Sequence, residues 1–335
     1  MQALFLTSWH RASRRIAAAA AFGALVVAAA ATASLTTATP LAAAPAVQPL
    51  VDVDWLLANA EREEVVILDI RNQLDGGSEK TYLAGHIPGA VYSDYLKAGW
   101  RTERDGVPGQ LPAIETLEAL IGELGISNDS HVVIVSAGTG ALDAGSAARV
   151  YWTFKVVGHD QVSILDGGYR AYTADPANPL ETGRVEPLPD IFSAEFRPEL
   201  LADRAAVQAA LQDGDLVVDT RPSEFFEGRK RHTWAKRAGT IPGAVSLPDE
   251  KFVDAEGRFV KAEGVGALLQ SVGFTGGEDQ ETIMFCNTGH WAALGWFAQS
   301  ELLGNKNARV YDGSMVDWSA QDALPVERRE AVATN

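Results

Sequence analysis

The 335 residues include one cysteine and three methionines. A single thiol cannot close an internal disulfide, so the chain is not stapled to itself by cysteine. Basic residues are also scarce: Lys and Arg number 28 against 44 Asp and Glu, a formal net charge of -16. The field of such a chain repels polyanions, which argues against nucleic acid and anionic membrane surfaces as partners. A small anionic substrate stays compatible where local cations or backbone dipoles receive it. Apolar residues are plentiful at 47%, with 21% charged, the profile of an ordinary globular protein. The length exceeds that of one average core and predicts two domains.

At the N-terminus, His10, Arg11, Arg14 and Arg15 precede an Ala/Val-rich run from Ile16 to Ala31, and Ala31-Thr32-Ala33 supplies small residues suited to cleavage. Residues 1–33 read as a secretory signal peptide and residues 34–49 as a disordered start to the mature chain. Ser13-Arg14-Arg15 is similar to a twin-arginine export signal, leaving the route open between that and general secretion. The apolar run approaches the roughly 18 residues that span a bilayer. Its Ala-richness and the Thr/Pro stretch after it favour removal, hence no stable membrane insertion and a periplasmic or secreted protein. A lone thiol sent into an oxidising compartment is a liability unless it has a task. The competing reading is an inert buried cysteine, a common fate of free thiols.

The chain repeats itself. Val65–Arg71 (VVILDIR) has a partner in Asp215–Arg221 (DLVVDTR), Ala84–Val91 (AGHIPGAV) in Ala238–Val245 (AGTIPGAV), and Asp166-Gly167-Gly168 in Asp312-Gly313-Ser314, at offsets of 150, 154 and 146 residues. Three motifs in the same order at near-constant spacing mark a duplicated domain. Between the copies, Pro176, Pro179, Pro187, Pro189 and Pro198 cluster with polar residues and predict a stiff linker. This places one domain at 50–178, a linker at 179–194 and a second domain at 195–330.

In the second copy, Leu216–Asp219, Ala244–Leu247, Thr282–Phe285 and Ala308–Tyr311 read as buried strands. Arg204–Leu211, Gly264–Ser271 and Trp291–Leu303 carry apolar residues at helical spacing. Strand–helix alternation predicts an α/β fold, each domain an open, mostly parallel sheet with helices on both faces and its site beyond the carboxyl ends of the strands. Cys286 falls at such an end, between the strand Thr282–Phe285 and a helix starting near Trp291. Converging amides and the positive end of the helix dipole favour an ionised sulfur there, and the expectation is a reactive thiol open to a small anion. At the repeat offset Cys286 corresponds to Ser136. The first copy thus lacks the thiol and reads as a structural partner walling the cleft.

The Asp-x-Arg strand end, the Ala-Gly-x-Ile-Pro-Gly-Ala turn, the cysteine loop and Tyr311-Asp312-Gly313-Ser314 with Trp318 together resemble the tandem rhodanese family. The family includes thiosulfate and 3-mercaptopyruvate sulfurtransferases, with an inactive first domain and the active cysteine in the second. The resemblance implies a double displacement in which Cys286 takes the outer sulfur of thiosulfate, a small anionic donor, and passes it from a persulfide to cyanide or to a small-molecule or protein thiol. It implies no metal or organic cofactor. The loop Asn287, Thr288, Gly289, His290, Trp291 and Ala292 would hold the anionic sulfur through backbone N–H groups.

The loop matches neither the thiosulfate-preferring pattern, with basic residues after the cysteine, nor the Gly-Ser pattern of the mercaptopyruvate enzymes. Phe225 stands where the family carries an arginine. Arg229, Arg231 and Arg237, in the densest basic stretch of the chain, are therefore candidates to bind the donor, against the alternative of a merely solvated loop. Asp219, Arg221 and Asp312 read as structural support, with Arg221 pairing to Asp219. His290 and Trp291 either shape the pocket or simply pack. A cysteine phosphatase would need an arginine at position 292, which is Ala. Two alternatives to thiosulfate sulfurtransferase stay open: a 3-mercaptopyruvate sulfurtransferase and a non-catalytic persulfide carrier.

Overall fold

The structure is a computed structural model and describes residues 47–276 and 280–329. The expected signal peptide, and residues 34–46 of the segment expected to be disordered, lie outside the described residues. The last residues of that segment are hydrogen-bonded to the first sheet: Ser163 Oγ donates to the Gln48 carbonyl at 2.6 Å, and the Ile164 amide to that of Pro49 at 2.9 Å.

The first domain runs β1 (Leu50–Val51), α1 (Val53–Asn59), β2 (Val65–Asp69), α2 (Glu79–Ala84), β3 (Val91–Tyr92), a hairpin β4 (Thr102–Arg104) and β5 (Val107–Gln110), α3 (Ile114–Glu123), β6 (His131–Val135), α4 (Ala141–Val156), β7 (Val162–Leu165) and α5 (Gly168–Tyr172). The second runs β8 (Leu201–Ala202), α6 (Arg204–Asp213), β9 (Leu216–Asp219), α7 (Ser223–Phe226), β10 (Val245–Ser246), α8 (Ala262–Ser271), β11 (Thr282–Phe285), α9 (His290–Phe297), β12 (Ala308–Tyr311) and α10 (Ser314–Ala320). The strand orders are β1-β7-β6-β2-β3 and β8-β12-β11-β9-β10, the same topology twice, and the pairings within both are parallel. The first domain also carries an antiparallel two-stranded hairpin, β4–β5, where the second has an isolated antiparallel bridge between Val253 and Phe259.

Strands expected at Leu216–Asp219, Thr282–Phe285 and Ala308–Tyr311 occupy those residues. The strand expected over Ala244–Leu247 shortens to Val245–Ser246, an edge strand that Pro248 cannot extend as a donor. The helix expected over Trp291–Leu303 starts at His290 and loosens into a wider turn over Ala298–Leu302.

Side chains alternate between two cores, as the pleat requires. Ile67, Val133, Val135 and Leu165 pack with Leu56 on the outer face of the first sheet. Leu68, Val132, Ile134 and Ile164 point the other way, into a cluster that also takes Leu216, Val218, Met284 and Cys286 from the second sheet. The inner core is thus continuous across both domains. Helices α4 and α9 lie in it, with Tyr151 edge-on to Phe297 at 4.8 Å between ring centroids. Burial around most of their circumference explains why neither shows a polar stripe. The proline-rich segment is strapped to the first domain: the amides of Glu181, Gly183, Asp190, Glu195 and Arg197 donate to the carbonyls of His86, Leu83, Gly122, Val157 and Val156. Among the described residues no helix is long and apolar enough to cross a membrane.

Candidate active site

Strand β11 ends at Phe285 and α9 begins at His290, so Cys286–Gly289 form the turn between them at the carboxyl edge of the sheet. Ser314 holds this turn from behind. Its Oγ accepts the amides of Cys286 and Gly289 at 3.0 and 3.1 Å and donates to the Tyr311 carbonyl at 2.8 Å. The amides of Met315 and Val316 donate in turn to the carbonyls of Cys286 and Asn287. Ser314 has φ +49, a conformation that non-glycine residues adopt only when their surroundings enforce it. Among the described residues no acceptor meets the amides of Asn287 and Thr288.

Three arginines converge on the turn, one at each residue after the cysteine. At the end of β9, Arg221 forks onto Asp219, Nε to Oδ1 at 2.8 Å and Nη2 to Oδ2 at 2.6 Å, and reaches Asn287 Oδ1 with Nη1 at a long 3.5 Å. Arg101 comes from the first domain and donates through Nη2 to the Thr288 carbonyl at 2.8 Å. Arg149, also from the first domain, projects from α4 to pair with Asp312 Oδ1 at 2.5 Å and lies so close to Gly289 that a Cβ there would collide with its guanidinium. Asp312 Oδ2 accepts the Leu111 amide at 2.6 Å, a further bond between the domains.

His290 joins the same seam. Its Nε2 lies 2.8 Å from the Leu142 carbonyl, which can only accept, so Nε2 carries the proton and Nδ1 accepts from the Tyr95 hydroxyl at 2.8 Å. Burial first, then the charges of Arg101 and Arg149, push its pKa down to about 3. A neutral imidazole bonded at both nitrogens is a strut between domains, with no nitrogen left for a substrate. Burial likewise raises the Tyr95 hydroxyl, keeping it a donor. Trp291 faces Phe225 at 6.3 Å between ring centroids, and Ala292 is fully buried.

Cys286 has no exposed surface, against the expectation of a thiol open to a small anion. The turn lies on the seam, where the first domain closes over it with Arg101 and His290 is tied to Tyr95. Around it, hydrogen-bond donors outnumber acceptors: among the described residues, Arg149 Nε and Nη2, Asn287 Nδ2 and Trp291 Nε1 are buried without a partner. Buried polar atoms are ordinarily paired, so this local excess is informative.

The basic run is not brought to the turn. Arg229, Lys230, Arg231, Lys236, Arg237 and Arg328 line a separate cleft of about 750 Å³ whose wall includes none of residues 286–292. Arg237 spends its guanidinium on the carbonyls of Ser319, Gln321 and Leu324, Arg229 pairs with Glu227, and Arg231 donates to the Ala235 carbonyl. Sequence reasoning missed Tyr95, Arg101, Arg149 and the role of Ser314. Arg149 had a signal, a lone cation inside the apolar stretch Ala147–Phe154; Arg101, in a mixed-charge surface hairpin, had none.

Residues 52–175 and 203–321 each match the family described as Rhodanese-like domain. The chain is 32% identical over 286 residues to a Mycolicibacterium smegmatis protein whose name assigns it provisionally as a thiosulfate sulfurtransferase, covering 83% of this chain and 97% of the relative. It is 32% identical over 283 residues to the 3-mercaptopyruvate sulfurtransferase of Escherichia coli strain K12, with the same coverage of 83% and 97%. The crystal structure of SseA from Escherichia coli, described as having the rhodanese fold, superimposes with a TM-score of 0.68 at 30% identity, over 80% of this chain and 99% of that one. Two matched domains of identical strand order, with the cysteine turn only in the second, lead to one conclusion: the chain belongs to the rhodanese family as a tandem-domain member.

Proposed function

We propose that this rhodanese-family sulfurtransferase loads Cys286 with the outer sulfur of thiosulfate and delivers it to a thiophilic acceptor, cyanide or a small or protein thiol. The Cys286 thiolate attacks the outer sulfur, a new S–S bond forms, the S–S bond of thiosulfate breaks, and sulfite leaves with the bonding pair. Charge balances, the thiolate and the dianion giving a persulfide anion and sulfite. The acceptor then attacks the terminal sulfur and frees the thiolate.

One observation carries this reading: the excess of buried donors and cations around a thiol whose neighbouring amides, Asn287 and Thr288, meet no acceptor among the described residues. Such a nest suits an anionic sulfur, held by N–H groups already in place. Because the thiol is covered, loading requires the seam over the turn to open and admit the donor. The names of the Mycolicibacterium and Escherichia relatives support the two donors to be compared, thiosulfate and 3-mercaptopyruvate.

Protein given thiosulfate is expected to gain the mass of one sulfur on Cys286, and Cys286→Ser to lose both this adduct and sulfite release. Sulfite release retained in the variant would overturn the assignment. Turnover of thiosulfate with cyanide over many cycles is expected; a single stoichiometric loading would make the protein a carrier instead. The same reading makes the protein an exported one on the strength of residues 10–33, and cell fractionation with and without residues 1–33 checks it.

A further inference from the structure

We propose that Arg101, a residue of the first domain, is the positioning group for the anionic sulfur donor. The inference rests on the sulfur-transfer reading above and names the residue that gives it charge selectivity. Of the three guanidiniums on the turn, Arg221 is neutralised by Asp219 and Arg149 by Asp312. Arg101 has no carboxylate partner among the described residues; its bonds go to the carbonyls of Gly109 and Thr288. The turn therefore carries one uncompensated positive charge, and it belongs to the other domain.

Exposure singles out the same residue. Arg149 is fully buried and Arg221 nearly so at 2%, whereas Arg101 is only part-buried. An incoming anion meets Arg101 first. The surrounding backbone is shaped for it: Gly109, at φ +86 in β5, leaves the space that a Cβ would take from the guanidinium. The basic run of Arg229, Arg231 and Arg237 is less free for the role, since Arg229 pairs with Glu227 and Arg231 and Arg237 donate to backbone carbonyls.

In the closed state Arg101 Nη2 is spent on the Thr288 carbonyl. Exchanging that neutral acceptor for a sulfonate gains a charge-assisted, two-pronged contact beside the turn. Arg101 neither gives nor takes a proton. It orients the donor so that the outer sulfur faces Cys286 and sulfite departs toward the guanidinium.

The experiment is steady-state kinetics on the full chain with Arg101→Gln and Arg101→Lys, using thiosulfate, a dianion, and methanethiosulfonate, a monoanion, as donors and cyanide as acceptor. Arg101→Gln is expected to raise the thiosulfate KM by about tenfold or more, with a smaller change in kcat. Arg101→Lys, which keeps the charge and loses the fork, is expected to fall between that variant and wild type, and the methanethiosulfonate KM to rise less than that of thiosulfate. Unchanged KM values, a fall in kcat alone, or equal rises for both donors would overturn the proposal. Should Arg101→Gln fail to fold, the Arg101→Lys comparison across the two donors decides by the same criteria. Failure of wild type to gain sulfur on Cys286 would instead sink the sulfur-transfer reading itself; normal loading with Arg101 variants indistinguishable from wild type would sink only this one.

Discussion

The turn after β6 and the turn after β11 are the same piece of backbone built twice, and they differ in what fills them. The carbonyls of Ser136 and Ala137 accept the amides of Tyr169 and Arg170, as those of Cys286 and Asn287 accept Met315 and Val316. Arg71 forks onto Asp69 as Arg221 does onto Asp219. Asp166 reaches across the seam to the Phe259 amide, as Asp312 reaches the Leu111 amide. In the first turn, however, the buried carboxylate of Asp143 accepts the amides of Gly138, Thr139 and Gly140 at 2.6, 3.1 and 2.8 Å, and the Thr139 hydroxyl at 2.7 Å. That turn has its own anion. At the corresponding place the first turn of α9 has Ala293 and so offers no carboxylate. Two differences therefore set the first domain apart, a serine for a thiol and a resident carboxylate over the donors.

Removing that carboxylate is expected to have the largest effect. Asp143→Ala strands the buried Gly138 amide, takes the charged acceptor from the amides of Thr139 and Gly140, and should cost about 3 kcal/mol of stability by denaturant unfolding, while turnover per folded molecule stays near wild type. Loss of turnover with unchanged stability would show that the two turns do not divide the work in this way. The next test exchanges a residue between the copies. Ser314 corresponds to Gly168, which has φ +56 and could not hold a side chain without striking the Ser136 carbonyl. Ser314→Ala keeps the strained φ and loses the bonds to Cys286 and Gly289, at about 2 kcal/mol; Ser314→Gly should be milder by about 1 kcal/mol because strain is relieved. Both should lower sulfur transfer, and an Ala variant as stable as the Gly variant would remove strain from the account.

Near neutrality the smallest effect is the one in pH. His290 titrates near 3 in the folded protein, below its ordinary 6.5, so the unfolded chain protonates first as pH falls. Its contribution is complete above about pH 6.5 and is lost progressively toward pH 3. The stability advantage of wild type over His290→Gln should shrink across that window. An advantage independent of pH would mean that the imidazole is not held neutral. The corresponding position of the first turn is Gly140, so no parallel effect is expected from that half.

Three of the four strands assigned from sequence in the second domain stand on the residues expected, because a fully buried parallel strand is written as an uninterrupted apolar run. The edge strand at Val245–Ser246 was overdrawn, since an edge needs less apolar sequence and sits between prolines. The thiol and its turn were legible from local spacing. Arg101, Arg149 and Tyr95 were not, because they lie between 137 and 191 residues from Cys286 in the chain and meet the turn only through the packing of one domain on the other. The basic run misled for a related reason: density of charge along a sequence says nothing of the direction in which it points, and most of those side chains are committed to nearby carbonyls and carboxylates.

The inner core, to which both sheets contribute and in which α4 and α9 press together, has a consequence for the duplication itself. Each half would leave its companion with a bare greasy helix and stranded polar partners, Arg149 without Asp312 on one side and His290 without Tyr95 on the other. Neither copy is a detachable module. The chain keeps two blueprints of one fold but shares one inner core between them, and any change that loosens the seam unsettles the sulfur chemistry and the scaffold together.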